Sequence, residues 1–272
     1  MNAVSLGPLV LSHERLHALI ALAAFTAAIE LAAWFWPNLA RSTRRWSLIA
    51  LASWGGAARI GYVLAHLDAF AVDPLSVLAF WQGGFNPVAG TFGLALAGFA
   101  AILRQPQAVR PVIAAAICAG MAYAVAVWAL PVEARGRLPQ VTLPATDGTA
   151  IPLADAGGRP VVVNLWASWC PPCRREMPMM MDVAASRSDV AVRFANQGET
   201  RSTIVRYLES QQLPTNGVVL DRSGVLMGGF GLLGLPSTLF FAADGRLMAV
   251  HTGEISRAEL TRRIDELSRE TR

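Results

Sequence analysis

The sequence contains no lysine: all 23 of its basic residues are arginines, set against 19 acids for a formal net charge of +4. The arginines are scattered, and no basic stripe with interleaved aromatics appears, which argues against a nucleic-acid partner. Cysteine is nearly absent too, with three residues in 272. Two of them form one Cys-X-X-Cys unit, Cys170 and Cys173, and the third, Cys118, lies in an apolar run where it reads as a small packing residue. Charge is unevenly missing. Before about residue 131 long stretches carry none, whereas beyond it Arg, Asp and Glu reach the density of an aqueous domain, so the two halves are expected in different solvents.

Four apolar runs, residues 16–36, 46–67, 88–103 and 111–130, are each near the length that crosses about 30 Å of hydrocarbon, the third being short. The first lacks a basic leading region and a small-residue cleavage site, so it reads as a span rather than a removed signal. Arg41, Arg44 and Arg45 fall in the first connection and Arg104 and Arg110 in the third, while the second, residues 68–86, has no arginine. The positive-inside rule then puts the first and third connections in the cytoplasm and everything after Pro131 outside it. This implies a multi-pass membrane protein whose C-terminal domain is periplasmic or otherwise extracytoplasmic. Expected boundaries are 1–131 for the membrane domain, 132–137 for a linker and 138–272 for the soluble domain.

Arg59, in Gly55-Gly56-Ala57-Ala58-Arg59-Ile60-Gly61-Tyr62, is a charge inside a span, and should face the bundle interior or snorkel outward. With Pro74-Leu75-Ser76-Val77-Leu78 and Phe80-Trp81-Gln82-Gly83-Gly84-Phe85 it resembles the N-terminal part of the prolipoprotein diacylglyceryl transferases. Where that family has its functional His and first Gly, this chain has Val88 and Ala89, keeping Gly90 and Gly93. The resemblance implies an anchor of shared ancestry with a retained lipid or lipoprotein groove, and leaves a lipid-modifying or lipid-binding membrane protein as the alternative function.

The second half reads as strands and helices in alternation. Residues 140–143 and 149–153 flank Asp147-Gly148 as a hairpin, and the apolar run 160–166 has the character of a strand covered on both faces. A helix over 174–185, a strand at 190–195, a helix over 200–212 and strands at 217–220, 236–241 and 247–252 follow. Ser256 is the expected cap of a last helix bearing Leu260, Ile264 and Leu267. This is the thioredoxin order, so the expected fold is an α-helical transmembrane bundle of about four spans joined to an α/β thioredoxin-like domain.

Two residues between cysteines at a helix start suit dithiol–disulfide exchange. Cys170, at the helix tip, would be the ionised nucleophile, and Cys173, one turn in, the resolving thiol. Pro171 and Pro172 remove two amide donors and stiffen the turn. A metal site would need further ligands, and His251 is the domain's one histidine; a structural clip across so short a loop removes little chain entropy. No cofactor is expected beyond the redox-active disulfide itself.

Trp169-Cys170-Pro171-Pro172-Cys173-Arg174-Arg175-Glu176-Met177-Pro178, with Gly234-Leu235-Pro236-Ser237-Thr238 downstream, resembles the membrane-anchored TlpA/ResA/DsbE group of thioredoxin-like proteins. The resemblance implies a cis Pro236 facing the cysteines, with the Leu235–Pro236 backbone exposed to a substrate peptide. It also marks Glu176 as an acid beside the site. Asn164 stands where thioredoxin has a buried aspartate, so Glu176 is either the substitute proton carrier or a surface acid paired with a helix arginine. Asn196-Gln197-Gly198-Glu199 is reminiscent of the group, although Glu199 also fits an acidic helix start. Trp166 and Trp169 are expected to pack around the motif and shape the substrate surface, with Phe230, Leu232 and Leu233 as docking or core residues. The group favours a reductant of client disulfides, apocytochrome c among them. Since the spans hold only Cys118, recharging would fall to an external DsbD/CcdA-type donor.

Overall fold

The computed structural model describes residues 3–6, 9–72, 74–130 and 136–270, and divides into two compact units: residues 13–132, and residues 1–12 together with 133–272. In the latter, β1 (Ala3–Leu6) and β2 (Leu9–Ser12) pair as an antiparallel hairpin.

Residues 13–132 are helical: α1 (His13–Phe35), α2 (Ala40–Ala65), the short α3 (Leu67–Val72), α4 (Pro87–Arg104) and α5 (Pro106–Ala129). Four of these helices, all but α3, are long and apolar enough to cross a membrane. α4 starts where Asn86 caps it, its side chain accepting from Ala89 N with Pro87 in the first turn. α5 begins at Pro106, earlier than the apolar run, because proline suits a first turn.

α2 packs on α4 and α1 on α5. At Gly93 a β-carbon would collide with the Ser53 carbonyl and with Ala57 of α2, so the glycine kept there serves close helix approach. Arg59 donates to the carbonyls of Ser76 (2.7 Å), Val77 (3.0 Å), Gly83 (2.7 Å) and Gly84 (3.1 Å), and stacks over Phe70, so the connection between α2 and α4 holds its guanidinium. Cys118, expected as a packing residue, is exposed on α5, where it lines a recess shared with α1.

The other unit carries a small antiparallel pair, β3 (Thr142–Pro144) with β4 (Ala150–Pro152), whose turn is closed by the Asp147 carboxylate accepting from Thr149 N. Its main elements are β5 (Val161–Trp166), α6 (Pro171–Ser186), β6 (Ala191–Gln197), α7 (Arg201–Ser210), β7 (Val218–Asp221), α8 (Val225–Gly229), β8 (Ser237–Phe241), β9 (Leu247–Thr252) and α9 (Arg257–Glu270). The sheet order is β7-β6-β5-β8-β9, with β5, β6 and β7 parallel and β8 and β9 antiparallel.

Every residue of β5 is buried, as its unbroken apolar run requires. Val162, Trp166, Phe194 and Phe240 face a core closed by α6 and α9; Val163, Leu165, Leu239 and Phe241 face the other, with Leu143, Leu153 and Leu226. The short helix α8 lies in a segment with no helical periodicity. It is nucleated instead by Asp221, whose carboxylate accepts from Val225 N and Leu226 N, after a left-handed Gly224. α6 begins at Pro171 rather than at Arg174 and runs through Pro178, which cannot donate to the Arg174 carbonyl.

Candidate redox site

The strand-to-turn-to-helix passage from β5 into α6 builds the site. Trp166 ends the strand, a turn closed by Cys170 N donating to Ala167 O follows, and Cys170 becomes the N-cap of α6, its sulfur accepting from Cys173 N at 3.3 Å. Pro171 and Pro172 occupy the first two helical positions, where their missing N–H groups leave no intrahelical bond unmade. Cys170 and Cys173 are joined by a disulfide with an S–S distance of 2.06 Å.

In this oxidised state both sulfurs are covered: Cys170 is 3% exposed and Cys173 fully buried. Cys170, the expected nucleophile, is therefore covered in the disulfide form. Both cysteines belong to the apolar cluster that holds Trp166, Ala167 and Met177.

Glu176, one turn beyond Cys173 on α6, is only 2% exposed and, among the described residues, forms no salt bridge with an arginine. Its neighbour Arg175 is turned outward to Glu254 at 2.6 Å. The surface-acid alternative is thereby overturned. Glu176 Oε1 accepts from Asn164 Nδ2 at 2.9 Å and Oε2 from the Ile255 amide at 2.9 Å. Asn164 Nδ2 also reaches Thr238 Oγ1 at 3.2 Å, tying together α6, β5, β8 and the segment before α9. Burial pushes the Glu176 pKa up to about 8 against the pull of the Ile255 and Asn164 hydrogen bonds. The Oδ1 of Asn164 is buried without a partner. Rotation of that amide would let it accept from a protonated Glu176, so the pair can hold the carboxyl in either state.

A second acid, Glu199, has its carboxylate turned away from the α7 start and onto the loop before Cys170. The cap of α7 is Thr200. Glu199 accepts from Ser168 N (2.7 Å), from Ser168 Oγ (2.5 Å) and from Asn196 Nδ2 (2.6 Å). Asn196 is fully buried on β6 in register with Trp166, so the clasp fixes the Ala167–Cys170 turn to the sheet. Spacing alone could not reveal this, because Ser168 and Glu199 are far apart in sequence.

The aromatic expectations divide. Trp166 is core, its ring 5.5 Å from that of Tyr207, whereas Trp169 is 68% exposed and does not pack around the motif. Its position between Ser168 and the half-covered turn points it outward. Leu235–Pro236 is cis. Pro236 itself is buried and its carbonyl accepts from Gly253 N at 2.8 Å, so Leu235, half-buried, is the part of this turn that meets the surface. Ser237 pairs with Leu165, which sets the turn beside the end of β5 from which the cysteines emerge. Leu232 belongs to the core, Phe230 packs on Phe241, and Leu233 is exposed. Among the described residues no cluster of His, Cys, Asp and Glu could hold a metal.

The family described as AhpC/TSA matches residues 135–250. Among curated proteins the chain is similar to the thioredoxin-like protein YneN of Bacillus subtilis, 28% identical over 131 residues, covering 47% of this chain and 76% of that one. It is also similar to the thiol-disulfide oxidoreductase ResA of Geobacillus thermodenitrificans, 27% identical and covering 47% and 75%. The C-terminal half of the chain is a thioredoxin-like thiol:disulfide oxidoreductase domain. Among solved structures this redox domain is similar to a secreted Mycobacterium tuberculosis disulfide oxidoreductase homologous to E. coli DsbE. That pair is 25% identical with a TM-score of 0.42, covering 47% of this chain and 96% of that one.

Proposed function

We propose that the protein is a membrane-anchored reductase of client-protein disulfides, with its redox domain in the periplasm. The observation that carries this reading is the placement of Glu176, buried with Asn164 one helical turn behind a disulfide at a helix tip. In the reduced protein the Cys170 thiolate, favoured by the start of α6, attacks a client disulfide and releases one client thiolate, leaving a mixed disulfide. Glu176 as carboxylate takes the proton of Cys173. The Cys173 thiolate then attacks Cys170 Sγ, expelling the second client thiolate and restoring the Cys170–Cys173 bond. Two electrons pass to the client, and the pair carries them without another cofactor.

An exposed Trp169, with Pro171 and Leu235 beside it, offers the surface against which a client segment would lie, with the Pro172 and Pro236 rings stiffening it. The four apolar helices and the arginine-bearing first and third connections support insertion with the domain outside the cytoplasm. Regeneration then requires an external dithiol of the DsbD/CcdA type.

The test is the equilibrium of the Cys170/Cys173 pair of the full-length protein in redox buffers, alongside insulin reduction. A potential near that of thioredoxin, about −270 mV, with insulin reduction abolished in Cys170→Ser, is expected; a value near about −120 mV would make the protein an oxidant and overturn the assignment.

A further inference from the structure

At the end of the sheet away from the cysteines lies a cavity of about 330 Å³ lined by Arg159, Arg187 and Arg193, with Val190, Asn216 and Gly217 among its other walls. The three guanidiniums are not equivalent. Arg187 is neutralised by Asp189 at 2.7 Å and Asp265 at 2.7 Å. Arg159 donates only to carbonyls, those of Ala156 (2.9 Å) and Ser188 (3.1 Å). Arg193 reaches the carbonyl of its own neighbour Val192 at 3.3 Å, and its Nε is buried with no partner.

Among the described residues neither Arg159 nor Arg193 makes an ion pair, and Asp155, whose charge Arg193 feels, does not bridge to it. Burial, and then the repulsion of Arg159, push the Arg193 pKa down. Two like charges drawn together in a recess, one of them with an orphaned buried donor, is an arrangement an anion would relieve.

We propose that Arg159 and Arg193 form a binding site for a phosphate group. A tetrahedral oxyanion has acceptors enough to take Arg193 Nε–H and the outward N–H groups of Arg159 together, in the forked geometry guanidinium favours. The cavity is roomy enough for a phosphate with its ester. β5 starts beside Arg159, at Val161, and delivers the cysteines at its other end, so an occupant here leaves the redox site open. The chain enters the domain at this same end. Gly136 O accepts from Leu247 N, Leu247 pairs with Phe241, and Phe241 with Val161. A phosphate fixed to a membrane surface and a free phosphate ester share the chemistry the site recognises. The proposal is independent of the redox reading, since binding requires no electron transfer.

The experiment is calorimetric titration of the full-length protein, in neutral detergent, with inorganic phosphate against a chloride control of equal ionic strength. Saturable binding with a dissociation constant of about 1 mM or tighter is expected, weakened about tenfold or more in Arg159→Gln and in Arg193→Gln. Arg206→Gln, an exposed arginine on α7, should leave it unchanged. Arg159 is exposed, so its variant should fold, and retained insulin reduction checks that it has. Repeating the titration in nanodiscs of phosphatidylcholine with and without phosphatidylglycerol separates the sources. Loss of phosphate binding in either disc relative to detergent identifies a lipid headgroup as the occupant, and binding in both discs equal to that in detergent identifies a free phosphate compound. No saturable phosphate binding in detergent, or binding unaffected by both Arg159→Gln and Arg193→Gln, overturns the proposal.

Discussion

Arg59 in the helical unit and Glu176 in the redox unit are both drawn in from the surface, and the two are treated in opposite ways. Arg59 among the apolar helices is given four carbonyl acceptors on one loop and an aromatic face, so its fixed charge is spread over backbone dipoles. Glu176 in the redox domain is given two donors and no cation, and its pKa is pushed up to about 8. A charge whose bonding capacity is used up holds structure together. A charge left under-satisfied beside a reactive group is poised to change state.

That contrast breaks most severely at Arg59. Arg59→Met would strip donors from the carbonyls of Ser76, Val77, Gly83 and Gly84 at once. Even with some rehydration the cost should be about 4 kcal/mol. The expected outcome is a large fall in the thermal stability of the helical unit in detergent, with insulin reduction by the redox domain retained. Equal loss of both would mean that Arg59 serves more than its loop.

Glu176→Gln should do the reverse, sparing the fold and slowing the chemistry. With Asn164 turned to present its Oδ1, the glutamine can accept from Ile255 N and donate to Asn164, but it cannot take a proton from Cys173, so turnover should fall by about a hundredfold. Stability gives an independent reading. Because the folded-state pKa lies above the unfolded one, the native protein binds more protons than the unfolded chain between about pH 4.5 and pH 8. Wild-type stability should therefore fall as pH rises through that window, by a few kcal/mol, and the slope should flatten in Glu176→Gln. Denaturant midpoints at pH 5 and pH 8.5 measure it; parallel slopes would show that the carboxyl is not held as described.

Glu199 sits between these cases, bonded on both oxygens yet positioned at the reactive loop. Glu199→Ala removes every acceptor from Ser168 and frees Asn196 Nδ2, at an expected cost of about 2 kcal/mol in domain stability. If the clasp fixes the turn that presents Cys170, the rate of Cys170 alkylation in the reduced protein should change as well. A stability loss with an unaltered alkylation rate would confine Glu199 to a structural role.

What the sequence made legible follows the same division between local and distant causes. The β5 run, the Asp147 turn, the Ser256 cap and the proline-opened α6 are written in neighbouring residues, and all formed within a residue of where their pattern placed them except α6, which begins three residues early at Pro171. So were the four long apolar helices, although α5 began at Pro106 rather than at 111. The Glu199 clasp, the Arg59 acceptors and the Ile255 amide on Glu176 join residues far apart in the chain, and no period announces them. α8 escaped for a different reason: its stabilising carboxylate, Asp221, precedes a helix too short to show a repeat. Trp169 does not pack as aromatic size suggests, because the Ala167–Cys170 turn leaves its ring outside, where a part in the substrate surface remains open to it.

The exposed Trp169 gives the mildest prediction and the one that best separates surface from chemistry. It lies next to Cys170 but donates nothing to the Glu176 network, so Trp169→Ala should leave the rate with a small disulfide such as oxidised glutathione unchanged. With a protein substrate that must lay a segment across the site, loss of the ring's contact area should slow reduction by about five- to tenfold, about 1 kcal/mol. Stability should move by less than about 0.5 kcal/mol, as for other exposed positions. Equal slowing toward both substrates would place Trp169 in the exchange step itself, and undo the division between a surface that selects clients and a buried acid that serves the sulfurs.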